Sequence, residues 1–413
     1  MKTPIAYHPQ RREVLPFDAP LPQEVLNIAT RSRKNLLPWR GQFSPQLVEV
    51  LLQSYAPQGG TVLDPCMGSG TVLYEAAHLG SPVYGIDVNP AAYVLARLYE
   101  CCTLPVAERY NLVRNAEDLL ARAHPNAFVM PLFRHPTHQQ MHSFDWVRTI
   151  PDVQIRILLD ALVVMLNGDA SDENALHQAW TSVRRIILNL PYSKTPIKAL
   201  FGDARRIDLP DESVDFVLSS PPYLNVFNYH HNARTGIEVL GWNPLVAGQS
   251  EIGANRKFRQ NRFLTVVQYC IDIALMLAEI CRVGRRAARI ILVLGRESRV
   301  QKTPFANGYI VEQIAVRALG MHIHLKQERF FSNRFGQRIY EDILHLTPPS
   351  DRKLPSQDLL IQQARSIAGE VLNEALERTP ADRRIFLADA INRLSEILPS
   401  PVLDPTRIRE VPL

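Results

Sequence analysis

Four consecutive residues, Ser220-Pro221-Pro222-Tyr223, carry the clearest chemical signal in this chain. They follow Val214-Asp215-Phe216-Val217-Leu218, a run that reads as a buried strand. Proline fixes its own φ and lacks an N–H, so the two prolines leave rigid carbonyls with no local donor competing for them. Those carbonyls and the Ser220 hydroxyl can accept hydrogen bonds from an exocyclic amino group. Tyr223 adds a flat face on which a planar base can stack. A Pro-Pro pair alone is an ordinary turn, so this reading needs a second site to feed it.

The second site is Thr61-Val62-Leu63-Asp64-Pro65-Cys66-Met67-Gly68-Ser69-Gly70-Thr71, a short apolar strand, a glycine turn and the start of a helix. Glycines at the head of a helix let the backbone turn tightly and approach a ligand closely. Roughly 17 residues after Gly70, the strand Val83-Tyr84-Gly85-Ile86-Asp87 ends in an acid, a position suited to the two hydroxyls of a ribose. No third glycine stands where a pyrophosphate would lie. The pattern points to a nucleoside ligand without phosphates.

Several elements must hold these loops. Pro45 to Tyr55 has helical apolar spacing with proline in its first turn. A helix is expected around Gln23 to Ser32, and another from Pro90 to Glu100 with Asn89 as N-cap. A third strand, Ala199 to Asp203, again ends in an acid; Ile290 to Leu294 reads as the fifth. Thr265 to Ile280 and Ile310 to Leu319 read as helices, and Met321 to Lys326 with Ile339 to Leu346 as a closing antiparallel pair. Between 105 and 197 roughly 90 residues intervene, far more than a crossover needs, with helical spacing at 155–166 and 174–190. His135, His138 and His142 in that stretch lack a cysteine or acid to complete a metal site and read as a polar loop.

The DPCMGSGT, GIDVNP, GDA (202–204) and LSSPPY runs together resemble the motifs of S-adenosylmethionine-dependent amino-methyltransferases acting on DNA. Residues 39–45, WRGQFSP, resemble the element that precedes the first strand in that family and closes over the cofactor. The resemblance covers roughly 35–100 and 198–347. It implies a doubly wound Rossmann-like α/β sheet with a C-terminal antiparallel hairpin, plus a helical insertion and a helical C-terminal tail. The expected divisions are an N-terminal arm and helix (1–34), the cofactor half of the core (35–104), an insertion suited to DNA recognition (105–197), the catalytic half (198–349) with a basic loop at 225–262, and the tail (350–413).

The resemblance also implies roles. Phe43, Asp64, Gly68, Ser69, Gly70, Thr71, Asp87, Asp203 and Ala204 are expected around S-adenosyl-L-methionine: Asp64 near the methionine amino group, Asp87 on the ribose and Asp203 on the adenine amino group. Ser220, Pro221, Pro222 and Tyr223 are expected to be catalytic. In this family the residue before Pro-Pro is mostly Asp or Asn in adenine-N6 enzymes and Ser in cytosine-N4 enzymes, so Ser220 leans toward cytosine, with adenine N6 open. Arg256, Lys257, Arg259, Arg262 and Arg334, interleaved with aromatics, are expected to meet double-stranded DNA. A cognate restriction endonuclease is a further implied partner.

Composition narrows the alternatives. The chain has 413 residues, 46% hydrophobic and 21% charged, with net charge +5. That is an ordinary globular composition, compatible with nucleic acid without requiring it. No uninterrupted apolar run approaches 18 residues, and the first residues lack a signal-peptide core, so no membrane span and a cytoplasmic location are expected. Five cysteines without a Cys-x-x-Cys pair give neither a disulfide framework nor a zinc pattern. Carbon-5 cytosine methylation needs a cysteine after the fourth strand, whereas Pro65-Cys66 lies in the first-strand turn, where Cys66 reads as filler. A tRNA guanine-N2 methyltransferase would need an RNA-binding domain ahead of Asp64, and a non-enzymatic binding protein should have lost some of these motifs.

Overall fold

A computed structural model describes residues 13–28, 32–128, 143–225, 233–254, 258–332 and 335–408. Nine strands are named along them: β1 (Val62–Asp64), β2 (Val83–Asp87), β3 (Ile197–Phe201), β4 (Val214–Ser219), β5 (Gly284–Gly295), β6 (Glu297–Val300), β7 (Thr303–Ala306), β8 (His322–Ser332) and β9 (Arg338–Thr347). Seven form one sheet in the order β3-β2-β1-β4-β5-β9-β8, and β6 pairs with β7 in a separate hairpin. The run from β3 to β5 is parallel; β9 is antiparallel to both β5 and β8. This is a doubly wound, mostly parallel α/β sheet with its antiparallel strands at one edge.

Helices cover both faces, so the strands bury alternate residues on opposite sides. Val62, Phe216, Leu218, Ile291 and Val293 join one core; Leu63, Val217, Ile290, Leu292 and Leu294 join the other. Both faces being dry explains why β4 and β5 read as continuous apolar runs. The insertion supplies helices Val106–Ala123, Val153–Met165 and Glu173–Asn189, whose apolar faces complete the first core. Helix Gln357–Ala375 completes the second, packing on helix Leu264–Val283 through Leu360, Ala364, Ile367, Val371 and Leu372. The tail is thus part of the core.

Several expectations shift. By length and hydropathy Leu264–Val283 matches a membrane span, which a search for uninterrupted apolar runs passes over because Gln268 and Asp272 break it. Here 83% of that stretch is buried inside the protein. The first helix stops at Asn27, where Ile28 takes a left-handed φ of 48°. Helix Pro90–Ala96 is shorter than expected and tightens into a 3₁₀ segment, Arg97–Thr103; Asn89 does cap it, accepting from the N–H groups of Ala91 and Ala92. β3 starts and ends two residues early, leaving Asp203 in a turn. The β6–β7 hairpin was not expected, because Pro304 and short polar strands hide its buried Val300 and Phe305.

The chain order reverses between β1 and β4, which lie side by side. Ligands of open α/β sheets bind beyond the strand carboxyl ends at such a reversal. Asp64 and Ser219 end those two strands.

Candidate active site

The turn after β1 is built for close approach. Gly68 and Gly70 have φ of 51° and 84°, and Gly70 caps helix Thr71–Leu79. A Cβ on Gly70 would meet Ala96 and the Tyr99 ring at 3.0 Å; one on Gly68 would meet the Trp39 indole at 3.2 Å. The segment ahead of the first strand lies over this turn. Asn35 Nδ2 donates to the Phe43 carbonyl (2.9 Å) and Thr71 Oγ1 (3.2 Å), and Gln42 Nε2 donates to Ser69 Oγ (2.9 Å).

Beyond the strand ends a cleft opens, lined by Trp39, Gly41, Cys66, Gly68, Asp87, Asp203, Ala204, Ser220, Pro222 and the stretch Ser250-Glu251-Ile252, among others. Asp87 is fixed at its wall by the N–H groups of Gly68 (2.9 Å to Oδ2) and Asn89 (2.8 Å to Oδ1). Burial pushes its carboxyl up to about 6, the two backbone N–H bonds pulling partly back. Asp64 sits behind the turn, where its Oδ1 accepts from Ser219 Oγ (2.7 Å) and the Cys66 N–H (3.1 Å). Burial raises Asp64 to about 7 against those same hydrogen bonds, with the Asp87 charge adding to the rise. Burial also raises the Cys66 thiol, reinforced by the charges of Asp64, Asp87 and Asp203. This neutral thiol fits the reading of Cys66 as filler.

A second, wider cavity shares Gly41 and Ser220 with the cleft. Its walls include Arg33, Lys34, Phe43, Pro221, Tyr223, Arg329, Phe331 and Glu341. Ser220 Oγ is 3.2 Å from the Tyr223 hydroxyl, which donates to Glu341 Oε1 at 3.4 Å. Glu341 Oε2 in turn accepts from Arg329 Nε at 2.6 Å, across the β8–β9 pair. The Tyr223 ring lies against Gly295 at the end of β5, where a Cβ would stand 2.6 Å from the ring.

The structure therefore sorts the expected residues. Gly68, Asp87, Asp203, Ala204, Ser220 and Pro222 line the cleft, and Ser220, Pro221 and Tyr223 line the cavity beside it. Phe43 lines that cavity and not the cleft, because Asn35 holds its carbonyl there. Ser69 and Thr71 line a separate hollow, where Gln42 and Asn35 engage their hydroxyls. Asp203 borders the cleft, yet its carboxylate already accepts from Arg205 N, Nε and Nη2 and from the Leu403 N–H. Arg259 and Arg262 are exposed; Arg256, Lys257 and Arg334 lie outside the described residues, as do His135, His138 and His142. Sequence reasoning missed Glu251, Ile252 and Glu341, which carry no local signal; Trp39 lies in the WRGQFSP run expected over the cofactor.

Residues 20–97 match the family model described as DNA methylase, of the N6/N4 methyltransferase type. The type II methyltransferase M.MjaII of Methanocaldococcus jannaschii is 36% identical over 69 residues, 17% of this chain and 13% of that protein. The type II methyltransferase M.BsoBI of Geobacillus stearothermophilus is 22% identical over 277 residues, 51% of this chain and 53% of that protein. The chain thus spans about half, or much less, of the curated relatives it matches. Among solved structures, a SAM-dependent methyltransferase from Methanosarcina mazei aligns at 14% identity over 72% of this chain and 97% of its own, with a TM-score of 0.33. Over residues 20–97 the chain is similar to the N6/N4 DNA methylases.

Proposed function

We propose that this protein is a site-specific DNA methyltransferase that moves a methyl group from S-adenosylmethionine to the exocyclic amino group of a base turned out of duplex DNA, cytosine N4 first. The observation that carries the reading is the shared wall. Ser220 and Gly41 line both the cleft and the wider cavity, so a donor in one and an amine in the other meet at Ser220. The cleft suits a nucleoside joined to an amino acid. It has a glycine turn against which a ligand can lie closely, a buried carboxylate at the end of β2, and Trp39 and Ile252 as apolar walls. When bound, S-adenosylmethionine supplies an electrophilic methyl group.

The chain's own residues supply position. An exocyclic amino nitrogen shares its lone pair with the ring and is a poor nucleophile. Accepting its N–H bonds at Ser220 Oγ and the Pro221 carbonyl draws it toward tetrahedral geometry and frees that pair. Tyr223 offers a face to the base, which offsets part of the few kcal/mol spent on unstacking it. Holding the two reactants in line is the main source of acceleration, and one amino proton leaves to solvent.

Lys34, at the wall of the wider cavity, is a basic residue on the side from which a polyanionic substrate would enter. Cytosine rests on Ser220, a short uncharged acceptor suited to a pyrimidine amine; adenine N6 is the alternative. The type II relatives favour a cognate endonuclease as partner, and a cytoplasmic place of work is part of this proposal. Labelled methyl transfer to duplex DNA and to tRNA tests the substrate. Label in DNA supports the reading, and label in tRNA alone overturns it.

A further inference from the structure

Arg205 lies just past β3, and its side chain is wholly buried. Nε donates to Asp203 Oδ1 (2.9 Å). Nη1 donates to Asp272 Oδ1 (2.7 Å) and the Ser400 carbonyl (2.8 Å). Nη2 donates to Asp203 Oδ2 (2.7 Å) and the carbonyls of Pro401 (2.9 Å) and Ser250 (3.1 Å). The segment from 397 to 403 is tied from its own side as well. Ser400 donates to Asp272 from its N–H (2.9 Å) and its hydroxyl (2.5 Å), and the Leu403 N–H donates to Asp203 Oδ2 (3.0 Å). Gln268 Nε2 donates to the Leu398 carbonyl (3.0 Å).

Two of the segments that this guanidinium gathers, at Asp203 and at Ser250, line the cleft. Another, at Ser400 and Pro401, lies roughly 200 residues from Arg205 in sequence. A carboxylate offers about four lone-pair sites, and those of Asp203 accept from three Arg205 atoms and from Leu403. Its side chain is therefore committed to this knot and not to a ligand.

We propose that Arg205 is a positioning residue for the cofactor: it straps the segment 397–403 behind the cleft and so fixes the spacing between the Asp203-Ala204 wall and the Ser250-Glu251-Ile252 wall. Asp203 then serves the ligand through the backbone it anchors. By linkage, a ligand that needs both walls in register must also hold the strap closed. A knot that only stabilised the fold would show no such response.

The proposal rests on the S-adenosylmethionine reading, and its test separates the two. Hydrogen exchange of the full chain is followed with and without S-adenosylhomocysteine, and calorimetry gives the affinity of wild type, Arg205→Lys and Ser400→Ala. The expected result is slower exchange at 397–403 on binding, and affinity about tenfold weaker in Arg205→Lys, where a single ammonium cannot reproduce the fork. Ser400→Ala removes the hydroxyl bond to Asp272 and is expected to weaken binding less while speeding exchange in the strap; it carries the test if Arg205→Lys does not fold. Ligand-independent exchange at 397–403, or wild-type affinity in the folded variants, overturns the strap alone. A wild-type protein that binds neither S-adenosylhomocysteine nor S-adenosylmethionine overturns the cofactor reading and the strap with it.

Discussion

Tyr223 holds its place because β5 ends in a residue without a side chain. A Cβ at Gly295 would stand 2.6 and 2.8 Å from two ring carbons, so Gly295→Ala must push the ring off its seat by a large fraction of an ångström. Misplacement of that size costs on the order of 100-fold in rate. Turnover should therefore fall about that much while calorimetric affinity for S-adenosylhomocysteine stays at the wild-type value. Asp64 gives a pH signature. Burial raises its folded pKa to about 7 from 3.8, so the native state holds a proton that the unfolded chain releases. Its contribution to stability is full below pH 4 and is lost as pH rises through about 7. Asp64→Asn keeps an oxygen to accept from Ser219 and carries no charge. It should melt about 2 °C or more above wild type at pH 8, with the difference vanishing near pH 4. Parallel melting curves at the two pH values check this. Ser220, Tyr223 and Asp87 were legible in the sequence because each stands in a contiguous run at a strand end. Their partners were not: Gly295 and Glu341 meet Tyr223 from two other strands, and Arg205 reaches Ser400 across 195 positions.

At the scale of elements, β2 shows how tightly the glycine-turn unit is assembled. A Cβ on Gly85 would lie 2.4 Å from Leu73 Cδ1 and 2.6 Å from Met67 Sδ, so the helix after the turn and the turn itself both rest on a bare strand position. Gly85→Ala should destabilise by about 1–3 kcal/mol through overpacking, read as a lower denaturation midpoint at unchanged slope. Elements whose periodicity and caps agree were readable: helix Pro45–Tyr55 forms over the expected span, and Asn89 caps as its position suggests. Elements defined by their surroundings were not. Two polar strands around Pro304 pair only because Val300 and Phe305 find a core beneath them. Asp203 leaves β3 because Arg205 draws it into a turn.

For the molecule as a whole, two dry cores fix a sheet whose strand ends deliver a cleft and a cavity to a wall shared at Gly41 and Ser220. The basic stretch after the Ser220–Tyr223 loop is anchored from the far side of the chain: Asn261 donates to the Phe386 carbonyl (2.7 Å) and Asp389 (2.8 Å), leaving its neighbours Arg259 and Arg262 exposed. If those two meet phosphates, the double variant Arg259→Ala/Arg262→Ala should weaken binding to all duplexes alike. The slope of log affinity against log salt should fall by about 0.9 for each lost contact. Affinity measured over a salt series checks this.

The central claim, transfer to an exocyclic amine of DNA, is tested most directly by incubating the protein with S-adenosylmethionine and duplex DNA, digesting to nucleosides and weighing them. The account predicts N4-methyldeoxycytidine. N6-methyldeoxyadenosine alone would contradict the base assigned from Ser220 while keeping the mechanism of amine activation. Carbon-5 methylation, or DNA left unmodified by a protein that binds the cofactor, would contradict the account itself.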